Sequence, residues 1–153
     1  MTVYYFDSSA IVKRYVDEQG SDYVEQLLSA PSHIIYTSCL AEVEVASAIT
    51  RRGYGARLSE ATISMNLREF QDDFDERYRA LDVTRELMRQ AVQMARKHRL
   101  RGYDAMHLAT ARDLLLQGTR HALPRVTMVS ADGDLNAAAE AEGIGFLNPT
   151  EGT

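Results

Sequence analysis

Short apolar runs alternate with longer amphipathic stretches along the 153 residues of the chain. Five runs have the length and the β-branched or aromatic content of strands: "TVYYF" at 2–6, "HIIYT" at 33–37, "YRALDV" at 78–83, "RVTMVS" at 125–130 and "IGFLN" at 144–148. Between them apolar positions recur at helical spacing over 8–18, 21–29, 38–52, 58–76, 84–98, 103–117 and 134–142; in 84–98, for instance, Leu87, Ala91, Met94 and Ala95 share one face. Strands separated by helices predict parallel pairing, because a helical crossover brings the chain back to begin the next parallel strand. "VYYF" and "VTMV" are apolar or aromatic throughout, as central strands buried on both faces require. The expected fold is α/β, a three-layer α/β/α sandwich around a short parallel sheet. No repeat, low-complexity tract or Gly/Ser/Pro-rich linker divides it, so residues 1–153 read as one domain.

One helical stripe carries a conflict. In "LRGYDAMHLATARDLLL" (100–116), Leu108, Ala111 and Leu115 line a face, and Asp104 falls on the same face. Two other carboxylates lie at strand ends: Asp7 directly follows "VYYF", and Asp132 comes two residues after Ser130. Ligands of open parallel sheets bind beyond the carboxyl ends of the strands, where the strand order reverses, so both acids reach the ligand edge. Each has a structural explanation by itself: Asp7 or Ser8 as a cap for a helix near Ser9, Asp104 as a cap after "RGY", Asp132 in a turn before Gly133. In "SCLAEVEVASAI", Glu44 has Leu40, Ala41, Ser47 and Ala48 one turn away, and Glu42 has Ser38, Cys39, Val45 and Ala46. Spacing does not choose between the two glutamates, and for either a salt bridge to an arginine is the structural alternative. Carboxylates gathered at one sheet edge repel, by about 1 kcal/mol per pair at 4 Å in water and about 4 at an effective dielectric of 20. They require a cation. Oxygen ligands without clustered His or Cys favour Mg²⁺ or Mn²⁺ over zinc, and such a site suits metal-assisted phosphodiester hydrolysis.

Charge changes this picture in one respect. The net charge of −5 repels nucleic acid overall, so any RNA contact must come from a local patch. "RKHRLR" at 96–101 is such a patch, or else a solvated helix end that complements the macrodipole. "EFQDDFDE" at 69–76 reads as a solvated acidic face. Cys39 has no partner for an internal disulfide and no zinc spacing, and reads as a small buried residue near a helix start. No apolar run reaches membrane length and "MTVYYFDSSA" lacks the features of a signal peptide, so the expectation is a cytoplasmic protein without membrane contact.

Four segments resemble, in order, the motifs of PIN-domain ribonucleases: "YYFDSSAIVKRYVDE", "SCLAEVEVASAI", "LRGYDAMHLATA" and "VSADGDL". The third is the most specific and is typical of the toxin half of VapBC-type toxin-antitoxin pairs. The resemblance implies a PIN-like, Rossmann-like sandwich with divalent metal, Mg²⁺ or Mn²⁺, held by Asp7, Glu44, Asp104 and Asp132; it is the resemblance that selects Glu44 over Glu42. It matches Ser8 and Ser130 to small hydroxyl positions beside the site. Asp134 is an extra or substitute ligand, or a helix cap. His107 reads as a packed, hydrogen-bonded histidine rather than a catalytic base, since a metal can generate the nucleophile without it. The implied activity is endonucleolytic RNA cleavage by a metal-activated water. Arg96, Lys97, Arg99 and Arg101 are candidates for the RNA phosphates, with Lys13 and Arg14 as a second set. The family further implies a cognate antitoxin, promoter DNA bound only through that antitoxin, and a homodimer; residues 54–76, with Met65, Leu67 and Phe70, are a partner-binding region or simply core. An aspartyl-nucleophile phosphatase is disfavoured because its second Asp position holds Ser9. A receiver domain is disfavoured for want of its phosphorylated Asp and late Lys. The remaining alternative is a catalytically silent PIN-like module that binds RNA or protein.

Overall fold

The computed structural model describes residues 1–152. Its sheet is parallel throughout, in the order β3-β2-β1-β4-β5, from β1 (Thr2–Phe6), β2 (His33–Ser38), β3 (Arg79–Leu81), β4 (Val126–Val129) and β5 (Gly145–Leu147). The connecting helices are α1 (Ser8–Ile11), α2 (Ser21–Ser29), α3 (Ala41–Gly55), α4 (Glu60–Glu76), α5 (Arg85–His98), α6 (Gly102–Arg120) and α7 (Gly133–Ala141).

Side chains alternate across the strands, and both faces of the sheet are covered. Tyr4, Phe6, Ile35 and Val129 pack with Ile11, Val24, Val45, Ile49, Phe70 and Phe74 from α1 to α4. Val3, Tyr5, Val126 and Met128 pack with Leu87, Met94, Leu108, Leu135 and Ala139 from α5 to α7. Double-sided burial is why β1 and β4 read as continuous apolar runs rather than as an alternation. Each large side chain so buried contributes about 1.5–3 kcal/mol. This is the expected α/β/α sandwich. The chain builds β2 and β3 on one side of β1, then crosses to place β4 and β5 on the other. Strand order therefore reverses between β1 and β4, and the crevice opens beyond their carboxyl ends.

Several element boundaries differ from the sequence pattern, and two of the differences have a visible local cause. The helix expected over 8–18 stops at Ile11 and tightens into a 3-10 turn at Val12–Arg14. Ser21 competes for the backbone there: its hydroxyl donates to the Val16 carbonyl (3.1 Å) and accepts the Glu18 N–H (3.0 Å). The helix expected over 38–52 spans Ala41–Gly55 instead, because the Cys39 N–H donates to the Leu81 carbonyl (2.9 Å) and keeps the chain extended beside β3. Cys39 is accordingly only partly buried.

Gly20 closes the loop before α2 at φ +93°, where a Cβ would stand 2.8 Å from the Pro149 carbonyl oxygen. Gly20→Ala is expected to cost about 1–3 kcal/mol, read as a lower urea midpoint with an unchanged m-value.

Candidate active site

Asp7 is the first residue beyond β1, caps α1, and is 3% exposed. Its N–H donates to the Val129 carbonyl (3.2 Å), which ties the end of β1 to the end of β4. Its Oδ1 accepts the Ala10 N–H (3.0 Å), and its Oδ2 accepts the Ser130 hydroxyl (2.7 Å). The Ser9 hydroxyl lies 2.7 Å from Oδ1 and 2.9 Å from Oδ2. One hydroxyl proton serves both Ser9 contacts, so three donated protons meet about four lone-pair directions, and room for one further ligand remains. Burial pushes the Asp7 carboxyl above the usual aspartate range, and the neighbouring His107, the Ser130 and Ser9 hydroxyls and the Ala10 N–H bring it only part of the way back.

Burial separates the two glutamates of α3. Glu42 is exposed, whereas Glu44 is half-buried and its Oε1 accepts the Ser8 hydroxyl (2.8 Å) and the Nε2 of His107 (2.7 Å). His107, 1% exposed, also places Nδ1 at 2.8 Å from the Tyr5 hydroxyl. It is thus packed and bonded through both ring nitrogens. Burial by itself would lower its pKa; the Glu44 hydrogen bond and the charges of Asp7, Glu44 and Asp104 outweigh that and hold it above the usual histidine value.

Asp104 occupies the first turn of α6, half-buried, with no hydrogen-bond partner among the described residues. Burial first, then the charges of Asp132 and Asp7, push its carboxyl up to about 6; Glu44 adds to this and His107 opposes it. Asp132 caps α7 by accepting the Leu135 N–H (3.0 Å) at Oδ1. Ser130, fully buried, links two of the acids, since its Oγ donates to Asp7 and accepts the Asp132 N–H (3.0 Å). Asp134 is exposed in the first turn of α7. Asp7, Glu44 and Asp132 thus all act on the charge of Asp104. As placed, however, no three His, Cys, Asp or Glu side chains among the described residues converge closely enough to hold a metal ion. The donor set is anionic and all oxygen, the kind that suits a hard divalent cation. Both oxygens of Asp104 and one each of Glu44 and Asp132 have no hydrogen-bond partner among the described residues.

A family model described as the PIN domain matches residues 4–141, which include all four acids. The chain belongs to the PIN domain family. Its curated relatives include Ribonuclease VapC45 and Ribonuclease VapC49 of two Mycobacterium tuberculosis strains, CDC 1551 / Oshkosh and H37Rv, each 34% identical over 111 residues that cover 72% of this chain and 76% of the relative. It is therefore a homologue of VapC-type toxins and of RNA-acting enzymes. Solved structures of the same fold include VapBC2 from Rickettsia felis bound to a DNA fragment from its promoter (TM-score 0.61, 13% identity, 96% of this chain and 98% of that one). A toxin-antitoxin complex from Klebsiella pneumoniae (0.60, 13%, 97% and 98%) and FitAcB from Neisseria gonorrhoeae (0.61, 15%, 97% and 99%) are similar to the same extent. No described helix is long and apolar enough to cross a membrane.

The basic residues of this PIN domain divide into paired and unpaired. Lys13 is buried against Glu18 (2.9 Å), and Arg14 reaches Glu25 (3.1 Å) and Glu69 (3.3 Å), so both are engaged in internal ion pairs rather than presented to a ligand. Lys97 pairs with Glu142 (2.7 Å), which also receives His98 (2.7 Å) and Arg112 (3.3 Å) and so clamps α5, α6 and the end of α7 together. Arg96, Arg99 and Arg101 have no acidic partner among the described residues, and Arg101 lines the same groove as Asp104. The hydrogen bonds of Lys97 and His98 draw the Glu142 carboxyl below its usual value despite the opposing effect of burial. Its contribution to stability is present above the ordinary glutamate range and lost as pH falls through the lowered value. Glu142→Gln is expected to cost about 1–2 kcal/mol at pH 7, with the difference from wild type shrinking as pH falls through the lowered carboxyl value in acid titrations of the melting temperature.

Three residues near the acids escaped the sequence reading. Ser9 entered it only as a missing aspartate, although it spans both oxygens of Asp7 and also accepts the Ala131 N–H (3.0 Å). Arg51 and Tyr103 line the grooves on either side of the acids. A search for apolar periodicity passes over Arg51, because it lies on the exposed side of α3 seven residues after Glu44.

Proposed function

We propose that this PIN domain is a Mg²⁺- or Mn²⁺-dependent endoribonuclease and the toxin component of a toxin-antitoxin pair. The observation that carries the reading is geometric: at the strand-order switch point Ser130 joins Asp7 to the Asp132 N–H, Ser8 and His107 hold Glu44, and Asp104 lines one groove with Asp132, an anionic region that a divalent cation would neutralise. Asp7, Glu44, Asp104 and Asp132 are the residues that would hold the ion, with Asp134, exposed in the first turn of α7, as an additional carboxylate. When bound, it supplies Lewis acidity at the scissile phosphate and makes a neighbouring water more acidic. The protein's part is positioning. Ser9, Ser130 and the Ala10 N–H fix the plane of Asp7, while Ser8 and His107 fix one oxygen of Glu44 and leave the other uncommitted. Attack by water rather than by the RNA 2′-hydroxyl leaves 5′-phosphate and 3′-hydroxyl ends. By analogy with the complexes of the same fold, the partners are an antitoxin protein, promoter DNA reached through that antitoxin, and a second copy of the chain.

The test is cleavage of total bacterial RNA by antitoxin-free protein in Mg²⁺ or Mn²⁺, with EDTA and Asp7→Asn as controls and mapping of the ends. Discrete cuts with 5′-phosphate ends that vanish in both controls are expected; cyclic phosphate ends would overturn the mechanism. The looser placement of the acids favours a second reading, a silent module that binds RNA or protein. A folded protein that cuts nothing and whose melting temperature ignores Mn²⁺ selects that reading.

A further inference from the structure

Two grooves flank the acids. One, of about 800 Å³, runs between α5 and the start of α6 and is walled by Val83, Met88, Val92, Tyr103 and Met106, with Asp104 and Asp132 at its end. The other, of about 360 Å³, runs along α3 and carries Ser8, Ser9, Glu44, Ser47, Arg51 and Arg52. Tyr103 is the residue common to both linings, 54% exposed and adjacent in sequence to Asp104. The two cations of the second groove are not equivalent: Arg52 is engaged by Glu18, while Arg51 is exposed with no acidic partner among the described residues. Seven residues of helix place Arg51 two turns, roughly 10 Å, from Glu44 on the same face. That spacing suits a phosphate adjoining the scissile one.

We propose that Arg51 and Tyr103 form a two-point grip on the RNA strand, the guanidinium holding a backbone phosphate next to the scissile one and the phenol ring stacking a flanking base. The inference rests on the nuclease reading for its substrate. An arginine forks onto phosphate oxygens through paired N–H groups. An aromatic ring takes any base face, which suits the apolar side of the site, where no cation other than Arg101 waits for a phosphate. The strand would then enter along α3 with its backbone and leave over α5 with its bases, crossing the acids between. Neither residue is part of the cation pocket, and both are exposed, so their replacement leaves the core intact.

The experiment measures binding of a fluorescein-labelled, mixed-sequence 20-nucleotide RNA to the full chain in EDTA between 50 and 200 mM salt, beside steady-state cleavage in Mn²⁺. Arg51→Ala is expected to weaken binding about fivefold or more and to reduce the slope of log affinity against log salt by about 0.7, the loss of one phosphate contact on a single strand. Arg51→Lys restores the slope. Tyr103→Ala is expected to weaken binding about tenfold with the slope unchanged, and Tyr103→Phe to bind as wild type. In cleavage, both alanine variants raise KM more than they lower kcat. Unchanged affinity and slope in the alanine variants would overturn the grip. Wild-type binding with these variant effects but no cleavage would sustain the grip and sink the nuclease reading instead.

Discussion

Asp104→Asn is expected to make the metal-free protein more stable while removing the proposed RNA cleavage. Asp104 has no hydrogen-bond partner among the described residues to lose, and its charge sits against those of Asp132, Asp7 and Glu44. A pKa raised to about 6 means that the folded state binds the carboxyl proton more tightly than the unfolded chain. At neutral pH the ionised group is therefore a liability to the fold. In a dry site the displacement would amount to about 3 kcal/mol. Asp104 is half-exposed, and solvent screening reduces that to about 1 kcal/mol, or a rise of about 2–4 °C in melting temperature. Activity should fall by at least about a hundredfold, since even the outer partners of a metal site typically cost ten- to a hundredfold when removed. Differential scanning calorimetry in EDTA and a cleavage assay in Mn²⁺ read the two effects separately. A variant that loses activity and stability together would make Asp104 a structural cap rather than a repelled carboxylate.

The second expectation concerns the ion and pH together. In EDTA, stability should fall as pH rises from about 5 to 8. Both Asp104 and His107 have folded pKa values above their ordinary ones, so the native state holds more protons than the unfolded chain across this window. The slope of unfolding free energy with pH is then negative. Protonation of Asp104 relieves repulsion, and protonated His107 stabilises Glu44, so both gains are present in acid and vanish as pH passes the folded values. Mn²⁺ should reverse the trend, because it binds the carboxylates that the protons leave. At about a hundred times its dissociation constant, an ion stabilises by about 2.7 kcal/mol, a rise of roughly 5–11 °C for a chain of this size. The rise should be full at pH 7.5 and nearly absent at pH 5. An ion-induced shift of equal size at both pH values would place the binding site away from these acids.

The legible part of the site was the part encoded locally. A carboxylate directly after a buried strand announces itself, and so Asp7 and Asp132 could be placed at the sheet edge from the sequence. Asp104 stood out because it interrupts an apolar stripe. Glu44 and Glu42 differ only by burial, which depends on how α3 lies over Ser8 and His107, residues 36 and 63 positions away from Glu44. The cations were the least legible. Lys13 meets Glu18 only because the expected helix breaks into a 3-10 turn, and Lys97 meets Glu142 across 45 residues. A run of like charges says nothing about which members have partners elsewhere in the chain. Fold was more legible than site, since alternation of apolar strands and amphipathic helices survives errors of a few residues at each boundary, whereas a hydrogen bond does not.

The bond from Ser130 to Asp7 joins residues 123 positions apart, and the adjoining strands β1 and β4 pair over the same span. A protein made from its N-terminus at about 5–20 residues per second therefore carries Asp7 and Glu44 for several seconds before the residues that orient and complete their pocket have been synthesised. Closing so long a loop comes late, after the local helices have formed. On the proposed nuclease reading, the growing chain would be unable to cut RNA until its last third has docked, an interval in which the proposed antitoxin could reach it first.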